Sequence, residues 1–212
     1  LLRAHPRTRT FLIGALLNSL GGGLTLPIMI VYLHQVVGMS LSSASAVFSW
    51  SAVVGLAVSP FVGSLVDRIG PRPILLSGIV VKATAMALWP SVHGTVSVYA
   101  VATLAALGDS SIWPPQTTMM ARMVPDDDRQ NFFGLQFMML NLGLGIGGMV
   151  SSFIVDVNER ASFTRLFILD TVSYLAFFAF IASLRGIGGR LSDEERGVRH
   201  QGSYREVFAD RR

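Results

Sequence analysis

Residues 63–73 read GSLVDRIGPRP, a short polar turn set between two long apolar stretches. Some twenty-five mostly apolar residues precede it and about twenty follow. The chain has 212 residues, of which 51% are hydrophobic and 14% charged. Soluble domains usually carry about 25% charged residues. The charges are also clumped, which leaves long windows nearly free of them. Apolar runs of this length read as membrane-spanning helices, because a helix rising 1.5 Å per residue needs about twenty residues to cross a hydrocarbon core. In lipid every backbone N–H and C=O must be satisfied internally, and the period-two patterning of a barrel strand is absent.

Six spans are expected, at about 10–33, 42–66, 73–91, 96–121, 130–155 and 163–184. The first is longer than the apolar core of a signal peptide, and no small-residue cleavage pattern follows it. Residues 1–185 form the six-helix membrane bundle in this reading, and residues 186–212 a hydrophilic cytoplasmic linker. Within the linker, SYREVFADRR places Tyr204, Val207 and Phe208 on one side of a short amphipathic helix. Alternating the spans puts fourteen of the sixteen arginines on one side, with Arg160 and Arg165 opposite. By the positive-inside rule both ends of the chain are expected to be cytoplasmic; the membrane expected is the plasma (inner) membrane. The formal charge of +4 therefore reflects topology, and no nucleic-acid partner is implied. With no cysteine, the chain has no disulfide or thiol chemistry.

Positive-inside topology asks only for basic residues in the opening turn. It does not ask for Gly63, Asp67, Arg68, Gly70 and Arg72 at these spacings. They resemble the signature loop of the major facilitator superfamily, G-x-x-x-D-R-x-G-R-R, with Pro71 in place of the first paired arginine. The loop also lies where that family has it, between the second and third helices. Gly63 would admit a neighbouring helix, Gly70 permits a tight turn, and Pro73 suits a first helical turn. Asp67 sits at a helix junction, and Arg68 and Arg72 can reach carboxylates or helix C-termini. Such a cluster can act as a conformational latch. The resemblance implies an all-α fold, six helices that make the N-terminal half of a twelve-helix transporter, and a C-terminal six-helix half as partner.

A second likeness lies at residues 140–152, LNLGLGIGGMVSS, which resembles the glycine-rich element of the superfamily's drug:proton antiporters. Gly143 and Gly147 match; Gly148 stands at the proline position. As a small-xxx-small pair, Gly143 and Gly147 would also serve close helix packing. The arginine that the family carries in its fourth helix is absent, and Leu104 occupies its place.

A charge at mid-bilayer costs about 2.5–3.5 kcal/mol on insertion scales, so each asks for a role or a partner. Asp109 lies mid-way along the fourth span, in GDSSIWPPQ, with Trp113 and Gln116 nearby and Pro114–Pro115 to kink the helix. Lys82 lies mid-way along the third, and a Lys82–Asp109 pair is geometrically open. Asn18 on the first span and Asn141 on the fifth complete the expected cavity set. Gly21–Gly23 would make the first helix pliable, and Asp170 reads as lying near the outer end of the sixth span. No metal-ligand cluster, nucleophile–base pair or phosphate loop is evident; GGGLTLP lacks the G-K-[ST] ending. The chain is therefore expected not to be an enzyme and to need no cofactor. The function implied by the resemblance is proton-coupled efflux of small amphipathic molecules by alternating access. An importer or facilitator of a polar metabolite, or a non-transporting membrane receptor or subunit, is the alternative. Its partners would be a small-molecule substrate, protons and the lipid bilayer.

Overall fold

The computed structural model describes residues 6–184 and Gly186; the linker expected at 186–212, with its amphipathic helix, otherwise lies outside the described residues. Within them, six helical segments are long and apolar enough to cross a membrane: Pro6–Val36, Leu41–Ile69, Pro71–Ser91, Thr95–Ala121, Asp126–Ile154 and Arg160–Ser183. The described residues contain no strand.

The first span packs on the fifth and sixth, the fourth on the second and third, and the third and sixth on each other. Exchanging spans one to three for spans four to six reproduces this scheme, so the bundle is built from two alike triplets. The ends of the third and sixth spans are tied in the same reciprocal way. Arg72, at the start of the third, donates from Nη2 to Ala182 O at 2.8 Å and from Nε to Ile181 O at 3.4 Å. Arg160, at the start of the sixth, donates from Nη2 to Pro90 O and Val92 O, both at 3.0 Å. Each guanidinium thus donates to carbonyls at or just beyond a helix C-terminus, and places a cation at the negative end of that helix.

Aromatic side chains fill the bundle near both ends. Phe11 meets Phe132 and Phe177 edge-on, joining the first, fifth and sixth spans. At the opposite end Tyr32 packs on Trp89, Phe163 and Phe167, and its hydroxyl donates to Trp89 O at 2.6 Å. The middle is closed by small residues instead. A Cβ on Gly143 would lie 2.5 Å from Ser19 Cβ, and one on Gly147 would strike Leu20 O and come within 2.8 Å of Gly23 Cα. The fifth span therefore rides on the backbone of the first, as the glycine spacing predicts. Gly148 is different: the nearest atom to an added Cβ is Pro27 Cγ at 3.6 Å, an ordinary contact.

Two sequence expectations change at the level of the helix. The first span runs unbroken through Gly21–Gly23 to Thr25, and the interruption falls at Leu26–Ile28, around Pro27. The glycines serve contact: a Cβ on Gly21 would overlap Ser173, and one on Gly23 would lie 2.6 Å from Leu144 O. The opening loop also shrinks to one residue. The second span continues through Asp67, Arg68 and Ile69, Gly70 turns at φ 94°, and the third span starts at Pro71.

Candidate functional site

The fourth span breaks where its sequence requires it. Pro114 and Pro115 have no N–H to give to the carbonyls of Ser110 and Ser111. The helix Thr95–Ser110 therefore ends, two residues turn, and Trp113–Ala121 begins again. Asp109 sits at the last turn before this break. Its carboxylate faces the third span, where Gly108 lets the helices meet: a Cβ there would come within 2.8 Å of the Lys82 backbone and Cβ. Lys82 Nζ donates to Asp109 Oδ2 at 2.6 Å, with the lysine side chain 12% exposed and the aspartate 46%. The pair that the mid-depth positions left open is formed. Lys82 is the chain's single lysine, and its charge is matched within the membrane span.

The pair borders a cavity of about 400 Å³ to which all six spans contribute. Asn18, Lys82, Asp109, Trp113 and Gln116 all line it. Most of the remaining wall is apolar or aromatic, from residues such as Met29, Phe48, Met86, Trp89 and Phe177. Asn18 Oδ1 is buried and has no hydrogen-bond partner among the described residues, which leaves one acceptor in the wall unused.

Asn141 is not brought there. It is exposed, and its Nδ2 donates to Phe137 O of its own helix at 2.8 Å. The reason is angular. At about 100° per residue, Asn141 lies about 200° from Gly143 and faces away from the first span. Gln136, seven residues before Gly143, returns to the packed face, is buried and lines the cavity.

Asp170 also departs from expectation. It is the eleventh residue of the 24-residue helix Arg160–Ser183, well inside rather than near its end, and it is 1% exposed. Thr25 Oγ1 donates to its Oδ2 at 2.7 Å, Ser173 Oγ lies 3.2 Å from its Oδ1, and it too lines the cavity. The signal was a helical stripe: Phe163, Phe167, Asp170, Tyr174, Phe177 and Ile181 recur at spacings of three and four and are all buried.

In the opening loop Gly70 has the positive φ that favours glycine, and Arg72 caps the sixth span. Asp67 and Arg68 are exposed in the last turn of the second span. Beyond its chain neighbours and its own helix backbone, no atom of the described residues comes within 4 Å of a Cβ placed on Gly63.

Residues 11–209 match the Major Facilitator Superfamily. The chain belongs to this superfamily. It is an integral membrane protein with the six-helix half-domain of that fold. Among curated superfamily relatives, the uncharacterized MFS-type transporter YttB of Bacillus subtilis (strain 168) is 25% identical over 180 residues, which cover 83% of this chain and 43% of YttB. The quinolone resistance protein NorA of Staphylococcus aureus is 24% identical over 162 residues, or 76% of this chain and 41% of NorA. Among solved structures, a POT family transporter in complex with a thioalcohol-conjugated peptide superposes with a TM-score of 0.76 at 18% identity, covering 92% of this chain and 43% of that one. The chain thus spans less than half the length of the superfamily members it matches.

Proposed function

We propose that the intact gene product is a secondary transporter that exports small amphipathic molecules in exchange for protons, by alternating access between this half and a second six-helix half. The observation that carries the reading is the Lys82–Asp109 pair, half open to an otherwise mostly apolar cavity beside a broken helix. Apolar and aromatic walls suit the body of an amphipathic molecule. A titratable carboxylate on the cavity wall offers a group that a proton and a substrate can compete for. The likeness to NorA, a quinolone resistance protein, supports export over import. The second and fifth spans, whose Leu56, Phe61 and Phe153 are exposed, offer apolar faces to lipid or to the second half. The arginine asymmetry supports an orientation with both ends of this chain in the cytoplasm. Asp67, Arg68 and their neighbours around the Gly70 turn serve in this reading as a conformational latch.

The test is proton-driven accumulation of a fluorescent quinolone in inside-out vesicles containing the intact gene product. Asp109→Asn keeps the shape and removes the titration. It is expected to abolish uphill accumulation while downhill exchange survives. An Asn variant that still accumulates the quinolone with wild-type pH dependence would overturn the assignment of Asp109.

A further inference from the structure

Three carboxamides line the cavity with nothing to bond. Gln116 is 7% exposed, Gln136 is 8% exposed, and Asn18 is half-buried with its Oδ1 sealed from solvent. None of the three side chains makes a hydrogen bond among the described residues. Other polar side chains of the spans behave differently. Asn141 donates to Phe137 O, Ser19 to Ala15 O and Thr118 to Pro114 O, each within its own helix. The charged groups of the wall are engaged as well: Lys82 holds Asp109, and the oxygens of Asp170 meet the Thr25 and Ser173 hydroxyls. Trp89 Nε1 also lacks a partner, but its ring is packed against Tyr32 and Phe167 at the end of the third span.

Local structure fixes where these amides stand. The proline pair restarts the fourth span, and Gln116, whose backbone N–H donates to Ile112 O, stands in the first turn of the new segment. Gln136 lies four residues after Phe132 and seven before Gly143, on the packed face of the fifth span. Asn18 adjoins Ser19, the residue on which Gly143 packs. The short loop at 122–125 joins the fourth and fifth spans, and Gln116 lies five residues from Ala121 and Gln136 ten from Asp126, against twelve from Ala121 for Asp109. Both glutamines therefore stand on the loop side of the ion pair, with Gln116 about 10 Å from Asp109 along the helix. We propose that Asn18, Gln116 and Gln136 recognise the polar end of the substrate, and that this end is an uncharged group of the carboxamide kind, with a hydrogen-bond donor and acceptor side by side.

The chemistry of the wall selects that class. A buried amide without a partner is costly, and an apolar side chain of the same size would avoid the cost. Water filling the cavity meets these groups until a ligand displaces it, so a ligand is held well only if it returns the same hydrogen bonds. Each carboxamide carries a carbonyl that accepts and an amino group that donates, and none carries charge. A cation finds no unpaired carboxylate among them, and an anion no free ammonium or guanidinium. An ester or ether of the same shape accepts but cannot donate, and leaves a side-chain carbonyl without a partner. The apolar wall then takes the rest of the molecule. The word substrate rests on the transport reading, in which the carboxamides select the molecule and Asp109 couples it to the proton; the test of the site is one of binding.

The probes are three fluorescently labelled alkyl chains of equal length, ending in a primary carboxamide, a methyl ester or a trimethylammonium group. Their binding to the intact gene product in lipid nanodiscs is measured against empty nanodiscs. The wild type is expected to bind the carboxamide about tenfold tighter than the ester, the worth of one hydrogen bond. Gln116→Met and Gln136→Met, which keep an unbranched side chain, should each weaken carboxamide binding towards the level of the ester and leave the ester unchanged. Neither should lower the melting temperature, because an apolar group in place of an unpaired buried amide is neutral or stabilising. Asn141→Met, on the same helix but facing away, should leave the preference intact. Equal binding of carboxamide and ester, a preference that survives both glutamine variants, tighter binding of the trimethylammonium chain, or a fall in melting temperature in either glutamine variant overturns the proposal. Carboxamide preference in a protein that transports nothing would refute the transport reading and leave the site standing, whereas proton-driven quinolone accumulation without that preference would do the reverse.

Discussion

Replacing Asp109 by asparagine should cost stability, and replacing Lys82 by methionine in the same protein should give most of it back. Lys82 is 12% exposed and its Nζ lies 2.6 Å from Asp109 Oδ2. Removing the carboxylate leaves an ammonium with no acid partner in a low-dielectric wall. Breaking a fully buried pair costs about 3–5 kcal/mol. Asp109 is 46% exposed, so water already screens part of the attraction. The expectation is therefore discounted to about 1–3 kcal/mol. For a domain of this size that is a fall in Tm of about 2–4 °C per kcal/mol. The double variant Lys82→Met/Asp109→Asn buries no unpaired charge, and substitution of a whole buried pair is often neutral. Thermal unfolding of the purified protein in detergent measures all four forms. The double variant should melt nearer wild type than Asp109→Asn alone. If the two substitutions add without coupling, the pair contributes nothing and the geometry has been over-read. The double variant should also remain inactive in proton-driven accumulation, which separates the structural from the coupling role of Asp109.

The glycine seam gives a sharper contrast. Gly147→Ala would push a methyl into Leu20 O and Gly23 Cα, backbone atoms that cannot rotate away, and overpacking of this kind costs about 1–3 kcal/mol. Gly148→Ala, one residue on, meets only an ordinary 3.6 Å contact and should be neutral or stabilising by up to about 1 kcal/mol, because alanine favours the helix; melting curves that do not separate the two would refute the packing described. Arg72→Ala and Arg160→Ala should each loosen one end of the pairing between the third and sixth spans. Amide exchange should rise locally, near Ala182 for Arg72→Ala and near Val92 for Arg160→Ala, and exchange that rises equally at both ends in either variant would show that the caps are not local.

The six spans were legible because a bilayer core imposes a length that apolar runs cannot hide. The Gly70 turn was legible because only a few residue types tolerate its φ of 94°. The Lys82–Asp109 pair was legible as a possibility, since both charges lie at mid-depth and lone charges there are costly. What distance along the sequence does not give is the direction a side chain faces. Asn141 and Gln136 are equally polar and sit on the same helix, yet only Gln136 shares the face of Gly143. Asp170 sits deeper than its position in the sequence suggests, because it belongs to the buried stripe of Phe163, Phe167 and Phe177 that marks the inner face of its span. Gly21–Gly23 read as a pliable stretch on conformational grounds. Packing against Ser173 and Leu144 decides otherwise, and the break moves to Pro27.

The two triplets of spans explain why Lys82 and Asp170 belong together. The third and sixth spans run antiparallel, each tied at its start to the other's end by an arginine. Lys82 is the twelfth residue from Pro71 and Asp170 the eleventh from Arg160, so each lies at a matching depth of its own triplet. Each reaches the span next to it by the same rule of packing: Lys82 to Asp109 on the fourth, beside Gly108, and Asp170 to Thr25 on the first, beside Gly21. Both contacts adjoin a helix break, at Ser111–Ile112 and at Leu26–Ile28. Packing alone would be served by apolar residues at both places. The triplets differ in charge: one contact is an ion pair, closed by its own counter-charge, while the other is a carboxylate held by hydroxyls. The same scaffold position, used twice, therefore carries an ion pair in one triplet and a hydroxyl-held carboxylate in the other.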